Sequence, residues 1–293
     1  GKPDTEPSVP QTRKTQITNA LVSPFASDDL RVRLTGLFSP SEKESSIAAL
    51  LHVDARDLTF SDGPDGSKTA EGDIVAVTFD GDGEQVDTLA RSWKVTVPKD
   101  SYEKLMTAGL VYTAIVPIKK PGGYQLRAVF RDSSSQKLGS AMQFIEVPDL
   151  NKKRLTLSGI VMGATLPKPG EGESSVPLDR TQIEGTPAVR IFRSGAVISY
   201  AYKVLNAKLD IDKKPQLESQ LRLFRDGKLV YTSRGANVIS APAEKGKELV
   251  VTGQLRLKEI SPGDYTLQII VEDSLRNDKY KIATQAMDFQ VRS

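Results

Sequence analysis

The sequence predicts an all-β protein of two tandem sandwich modules, and three observations carry the prediction. Residues 121–132 read PGGYQLRAVFRD and residues 262–273 read PGDYTLQIIVED, so one motif recurs about 140 residues later. Both copies hold Pro-Gly, then a Tyr, a Leu two places on and an Asp eight places after the Tyr. These are Tyr124, Leu126 and Asp132 in the first copy, and Tyr265, Leu267 and Asp273 in the second. A further echo comes after each, Ala141-Met142-Gln143-Phe144 and Ala286-Met287-Asp288-Phe289. An internal repeat speaks for architecture, because each copy folds as one unit of the same kind. The second observation is a succession of short β-prone runs separated by turn residues. The third is length: 293 residues suffice for two ordinary domains, each burying its own core.

Taken in order, residues 1–20 are Pro-rich, polar and aperiodic, and read as a flexible linker. The first module is expected over 21–150. Its strands are predicted at Leu30–Phe38, Ile47–Asp54, Asp73–Phe79, Ser92–Val97, Leu110–Ile118, Gly123–Arg131 and Leu138–Val147. A helical turn is expected over Ser101–Thr107, capped by Asp100, with Glu103 as capping-box partner and Gly109 to stop it. The second module is expected over 151–293. Its strands are predicted at Leu155–Met162, Ala188–Phe192, Val197–Asp210, Ser219–Arg225, Lys228–Ser233, Glu248–Lys258, Asp264–Glu272 and Lys279–Val291. Asp226-Gly227 is a hairpin signal. The stretch 163–187, rich in Gly, Pro, Ser and Glu, reads as a long mobile loop.

In each copy of the repeat a strand leads to a Pro-Gly turn, and the Tyr opens the next strand. Pro presets φ for that turn and Gly tolerates positive φ, which suits a corner between sheets. A Tyr two residues before a core residue fits the tyrosine corner of immunoglobulin-like sandwiches, whose phenol packs inside and bonds to upstream backbone. The expected fold is therefore two tandem immunoglobulin/fibronectin-III-like β-sandwich domains, with Tyr124 and Tyr265 as structural tyrosine corners.

Composition narrows the function classes. There is no cysteine, which excludes disulfides, thiolate metal sites and a Cys nucleophile. No run approaches the roughly 18 apolar residues of a membrane span, so none is expected. The net charge of +3 is unevenly spread, with an acidic excess over 21–149 and a basic excess over 150–293. No Lys/Arg cluster with interleaved aromatics marks a nucleic-acid groove, so no nucleic-acid partner is expected. Gly1 and the polar residues after it carry no export signal and read as a trimmed start.

Candidate chemistry is sparse. The single histidine, His52, alternates with Leu51 and Val53 and shares a strand face with Asp54. Two such groups make an incomplete metal site, and a solvent-facing pair is the expectation. Asp80-Gly81-Asp82-Gly83-Glu84 opens like a calcium loop but lacks its third acidic position and its closing bidentate Glu. A polar hairpin tip is the simpler reading. Asp132-Ser133-Ser134-Ser135-Gln136 departs from an Asp-x-Ser-x-Ser metal motif at Gln136. Trp93 alternates with Val95 and reads as core; an exposed Trp93 beside Tyr102 or Tyr112 would instead suggest a sugar-binding face. No phosphate loop, nucleophile elbow or spaced carboxylate pair occurs. No catalytic residue, metal ligand or cofactor is assigned, and no enzymatic activity is expected.

Several stretches together carry a family resemblance. They are Leu34-Thr35-Gly36-Leu37-Phe38, the run from Leu50 to Phe60, and Gly109-Leu110-Val111-Tyr112. Lys119-Lys120-Pro121-Gly122-Gly123-Tyr124-Gln125-Leu126-Arg127 and the run from Gly139 to Leu150 complete the set. Across residues 20–162 the chain resembles the C-terminal region of von Willebrand factor A-related proteins of Acidobacteria. The resemblance implies an exported protein (periplasmic, cell-surface or secreted) in which an A-like domain precedes a pair of sandwich modules. That A-like domain has no counterpart in this chain, so its metal-dependent adhesion carries over to no residue here. The role implied is a non-catalytic spacer and protein–protein interaction or adhesion region, with another protein or the A-like domain as partner. The alternative is a carbohydrate- or calcium-binding accessory module. The surfaces to inspect first are 163–187 and the Asp80–Glu84 tip.

Overall fold

A computed structural model describes residues 9–40, 45–165, 185–238, 241–242, 248–258 and 260–293. It is an all-β sandwich architecture with two α-helices among the described residues. The first repeat contains α1 (Val9–Val22), β1 (Val32–Ser39), β2 (Ser45–Val53), β3 (Ser61–Asp62), β4 (Lys68–Phe79) and β5 (Gln85–Val97). It continues with α2 (Lys99–Ala108), β6 (Leu110–Ile118), β7 (Gly122–Asp132) and β8 (Leu138–Val147). The second contains β9 (Thr156–Leu157), β10 (Val161–Thr165), β11 (Ile191–Arg193), β12 (Val197–Leu205), β13 (Leu217–Arg225) and β14 (Lys228–Thr232). It closes with β15 (Ala236–Asn237), β16 (Ala241–Pro242), β17 (Glu248–Arg256), β18 (Gly263–Asp273) and β19 (Ile282–Arg292).

The repeat extends to sheet topology. One sheet of the first copy runs β1-β2-β6, and the other runs β4-β7-β8 with β5 on the far side of β4. The second copy has β10-β12-β17-β16, and β14-β13-β18-β19. The counterparts are thus β2 and β12, β6 and β17, and the quartets β5-β4-β7-β8 and β14-β13-β18-β19. The second copy adds β11, which pairs with β19 in parallel. By packing, the chain divides into one unit of Gly1–Gly36, Ala49–Val116 and Gly123–Ile145, and another of Leu37–Ala48, Pro117–Gly122 and Glu146–Ser293.

Strand alternation explains the layers. Along β18, Tyr265, Leu267, Ile269, Val271 and Asp273 are buried and their neighbours are not, as the two-residue period of a strand requires. Ile74, Leu126 and Phe130 lie in the core of the first unit, and Phe192, Leu223 and Leu267 in that of the second. Each such side chain contributes about 1.5–3 kcal/mol by leaving water.

Three expectations need correction. Much of the lead-in expected to be flexible over 1–20 is helical from Val9 onward. Among its described side chains the packed apolar stripe is Ile17, Ala20 and Leu21, too narrow to read as a period, yet it packs on Val77 and Val129. The helix expected at Ser101–Thr107 runs Lys99–Ala108; Pro98 stands at its N-cap without a side-chain bond, so the Asp100–Glu103 capping box does not form. Gly109 ends it at φ 66°, as expected. The strand predicted at Ser92–Val97 begins at Gln85, so β5 is twice as long as its polar first half suggests.

Candidate functional site

The repeated motif is buried at its Tyr, Leu and Asp in both copies. The Tyr265 hydroxyl donates to the carbonyl of Ser261 at 2.7 Å, and its ring stacks on Phe289 at 5.5 Å. Tyr124 is buried to the same degree. The motif's last residue, to which sequence reasoning gives no role, is a fully buried carboxylate in both copies. Asp132 accepts from the Thr59 N–H at 2.6 Å through Oδ2, and from the Ser134 and Ser135 N–H groups at 2.7 and 3.3 Å through Oδ1. Asp273 repeats the arrangement, with Lys208 N–H on Oδ2 at 2.8 Å and Leu275 N–H on Oδ1 at 3.1 Å. Each carboxylate fastens the end of a long strand to its own turn and to a distant loop. A charge can be buried only when hydrogen bonds replace its water, and here backbone donors do so. The second copy adds a cation: Arg276 Nε lies 3.3 Å from Asp273 Oδ2, and Arg276 also donates to the carbonyls of Lys153 and Asn206.

A second polar cluster binds α1 to β4 and β7. Arg13 pairs with the buried Asp73, and Arg131 Nη1 approaches Asp73 Oδ2 at 3.6 Å. Ser92 Oγ donates to Asp73 Oδ1 at 3.3 Å, and Arg131 Nε donates to Gln16 at 3.4 Å. Arg127 donates to the Leu21 carbonyl at 2.6 Å, placing a cation where the helix C-terminus exposes its carbonyls. Asp73 is thus a single carboxylate flanked by two guanidinium groups. It offers no second carboxylate for acid–base work.

The remaining candidates separate. His52 is buried, contrary to the solvent-facing expectation, with Nε2 3.3 Å from the Ala108 carbonyl and the imidazole against Gly109. The end of α2 covers that face of β2, which a strand pattern alone does not reveal. Burial pushes the His52 pKa down. Asp54 makes its bonds elsewhere: it caps the turn Ala55–Asp57 and pairs with Arg56 and Arg31, whose guanidinium also grips Asp57. The Arg56 side-chain bond holds the Asp54 pKa low, and the Arg31 bond does the same for Asp57. At the Asp80–Glu84 tip, Asp80 Oδ1 accepts the Asp82 and Glu84 N–H groups at 3.1 and 2.9 Å, so the carboxylate serves its own turn. Among the described residues, no three acidic or histidine side chains converge as a metal site. Trp93 packs on Phe130 at 4.7 Å and over Gly72, while Tyr102 meets Phe60 edge-on at 5.3 Å. These rings form no shared open platform. Most of the expected loop at 163–187 lies outside the described residues; its first three belong to β10.

What the first unit leaves open is a sheet edge. β5 pairs with β4 from Lys68↔Val97 to Phe79↔Gln85, while β3 and β7 divide the other side of β4. No strand pairs with the outer side of β5 among the described residues.

No family model and no curated protein matches the chain. Among solved structures it is similar to a beta-glucuronidase of Bacteroides uniformis, at 14% identity over 41% of this chain and a TM-score of 0.26. It is also similar to a Parabacteroides merdae beta-glucuronidase, at 10% identity over 85% of this chain and the same TM-score. The chain spans 13% and 29% of the lengths of those two proteins. No helix among the described residues is long and apolar enough to cross a membrane.

Proposed function

We propose that this chain is a non-catalytic pair of immunoglobulin-like modules in an exported protein of the von Willebrand factor A-related kind, serving as spacer and protein-interaction region. The observation that carries the reading is how the buried carboxylates are used. Asp73, Asp132 and Asp273 are each committed to guanidinium groups or backbone N–H groups that hold elements together. General acid–base chemistry needs a side chain free to exchange a proton with substrate, whereas Asp132 and Asp273 spend both oxygens on backbone N–H groups and Asp73 sits between the Arg13 and Arg131 guanidinium groups. Sandwich modules otherwise offer edges and end loops, which recognise proteins by backbone pairing.

The test has two arms. The reading frame upstream of Lys2 is expected to encode an export signal and an A-like domain, and that domain, purified, is expected to bind this chain in calorimetry. A cytosolic catalytic domain upstream would overturn the proposal. So would glycosidase turnover that copurifies with the chain and is abolished by one carboxylate substitution.

A further inference from the structure

We propose that β5 is a self-association edge, at which two copies of this chain pair antiparallel with Leu89 on the two-fold axis. The inference deepens the interaction reading above for one surface, and it stands on geometry that does not involve the A-like domain. Strand β5 has 13 residues, contains neither Pro nor Gly, and keeps regular pairing with β4 until the shift at Thr78/Phe79 beside the hairpin tip. Natural edges are normally blunted by brevity, proline or a bulge. The counterpart edge β14 is blunted further: it is only five residues long and carries its bulge at mid-strand, where Val230 has no partner on β13. The bulge of β5 lies at Val86 and leaves residues 87–97 in regular pairing.

The outward backbone groups of β5 are held by side chains of the same strand. Thr88 N–H donates to the Asp87 carboxylate at 2.8 Å, and the Ala90 carbonyl accepts the Arg91 guanidinium at 3.0 Å. In an antiparallel strand the N–H and C=O of successive residues point alternately to one neighbour and the other. Thr88 and Ala90 therefore face away from β4, in the direction from which a new strand would pair.

Charge selects the partner and the register. Pairing about a two-fold axis normal to the sheet keeps each face, so the axis passes through a residue position. With Leu89 on the axis, Asp87 lies opposite Arg91 and Thr88 opposite Ala90, all within the regular part of β5. Symmetry doubles that charged crossing, giving two opposite-charge pairs and no like-charge pair. An axis at Ala90 sets Asp87 against Trp93, and one at Arg91 sets that cation against itself. In the Leu89 register, Thr88 and Ala90 exchange both backbone bonds. Asp87 and Arg91 then occupy the non-hydrogen-bonded pair, where side chains approach closest. The two side chains that hold the edge in the single copy are released to meet each other in the pair.

Sedimentation of the 293-residue chain over a concentration series tests this. A dimer is expected, weakened by salt. Asp87→Arg or Arg91→Asp alone should weaken it on the order of tenfold or more, because two attractive crossings become repulsive. An equimolar mixture of the two variants should recover association, since both crossings are then again of opposite sign. Thr88→Pro removes an outward N–H without removing a bond to β4 and should give a monomer whose thermal transition matches the parent. A chain monomeric up to about 300 μM overturns the proposal, as does a dimer indifferent to Asp87→Arg and Thr88→Pro. A dimer without A-like-domain binding removes the partner proposed above and leaves this inference intact; binding by a monomer does the reverse.

Discussion

On the outer face of the first module Asp73, Val77, Val129 and Arg131 are buried, because α1 lies across β4 and β7. The matching face of the second module, formed by Gln220, Arg222, Gln268 and Ile270 on β13 and β18, stays half-exposed. The chain has answered each situation with different chemistry. Where a helix covers the sheet, apolar residues alternate with a charge that needs its own partners, Asp73 with Arg13 and Arg131. Where the face stays half-exposed, Arg222 bonds Gln220, two places back on its own strand, at 3.2 Å. The inner faces, in contrast, keep the same Tyr–Leu–Asp spacing and the same buried Asp fastening. The comparison teaches that the repeat preserves what closes a sandwich and lets the outward surface change.

The strongest way to break the comparison is to remove the fastenings. Asp273→Ala should destabilise the second module by about 3–5 kcal/mol, since it takes from the buried Arg276 guanidinium its buried carboxylate, leaving it the exposed Asp278 at 3.3 Å, and orphans the Lys208 and Leu275 N–H groups as well. Asp132→Ala should cost less, about 2–3 kcal/mol, because it orphans neutral N–H groups. Urea unfolding followed by Trp93 fluorescence and by circular dichroism separates the two, since the single Trp reports on the first module alone. Equal losses in both variants would deny Arg276 its part. Leu21→Ala should lower the first module's stability by about 2 kcal/mol and leave the second unchanged. No effect in the fluorescence-detected transition would mean α1 does not dock. Tyr265→Phe should cost about 1 kcal/mol through the lost bond to Ser261, in the transition that Trp93 does not see.

The smallest effect concerns pH. Burial depresses the folded-state pKa of His52 below its ordinary value, so the unfolded chain takes up the proton first as pH falls. Stability is fully present above the unfolded histidine pKa of about 6.5 and is lost progressively below it, until the folded pKa is passed. His52→Gln should flatten that part of the stability–pH curve; an unchanged slope would show that the imidazole is not the group responsible.

How much of the molecule is legible in the sequence depends on what each feature requires. Turn-bounded alternation and the Pro-Gly-x-Tyr-x-Leu repeat are local, so Leu110–Ile118 and Leu138–Val147 match β6 and β8 residue for residue. The helix α1 escapes a sequence reading because three apolar positions and one Arg acquire meaning only beside Val77, Val129 and Asp73. His52 misleads for a related reason: the cover over it comes from residues 56 positions away. Asp132 and Asp273 are visible as repeated letters, and their recurrence is the signal. Their role depends on Thr59 and Lys208, which no spacing rule connects to them. The edge β5 reads as half its length because Asp87, Thr88 and Arg91 look like loop residues until Asp73–Thr78 are seen beside them.

The central claim, that the repeated aspartate is one fastening used twice, is tested most directly by hydrogen exchange resolved to single amides. In Asp132→Ala the Thr59 amide should lose protection while Lys208 keeps it, and in Asp273→Ala the pattern should reverse. Unchanged protection of Thr59 and Lys208 in their own variants would contradict the account.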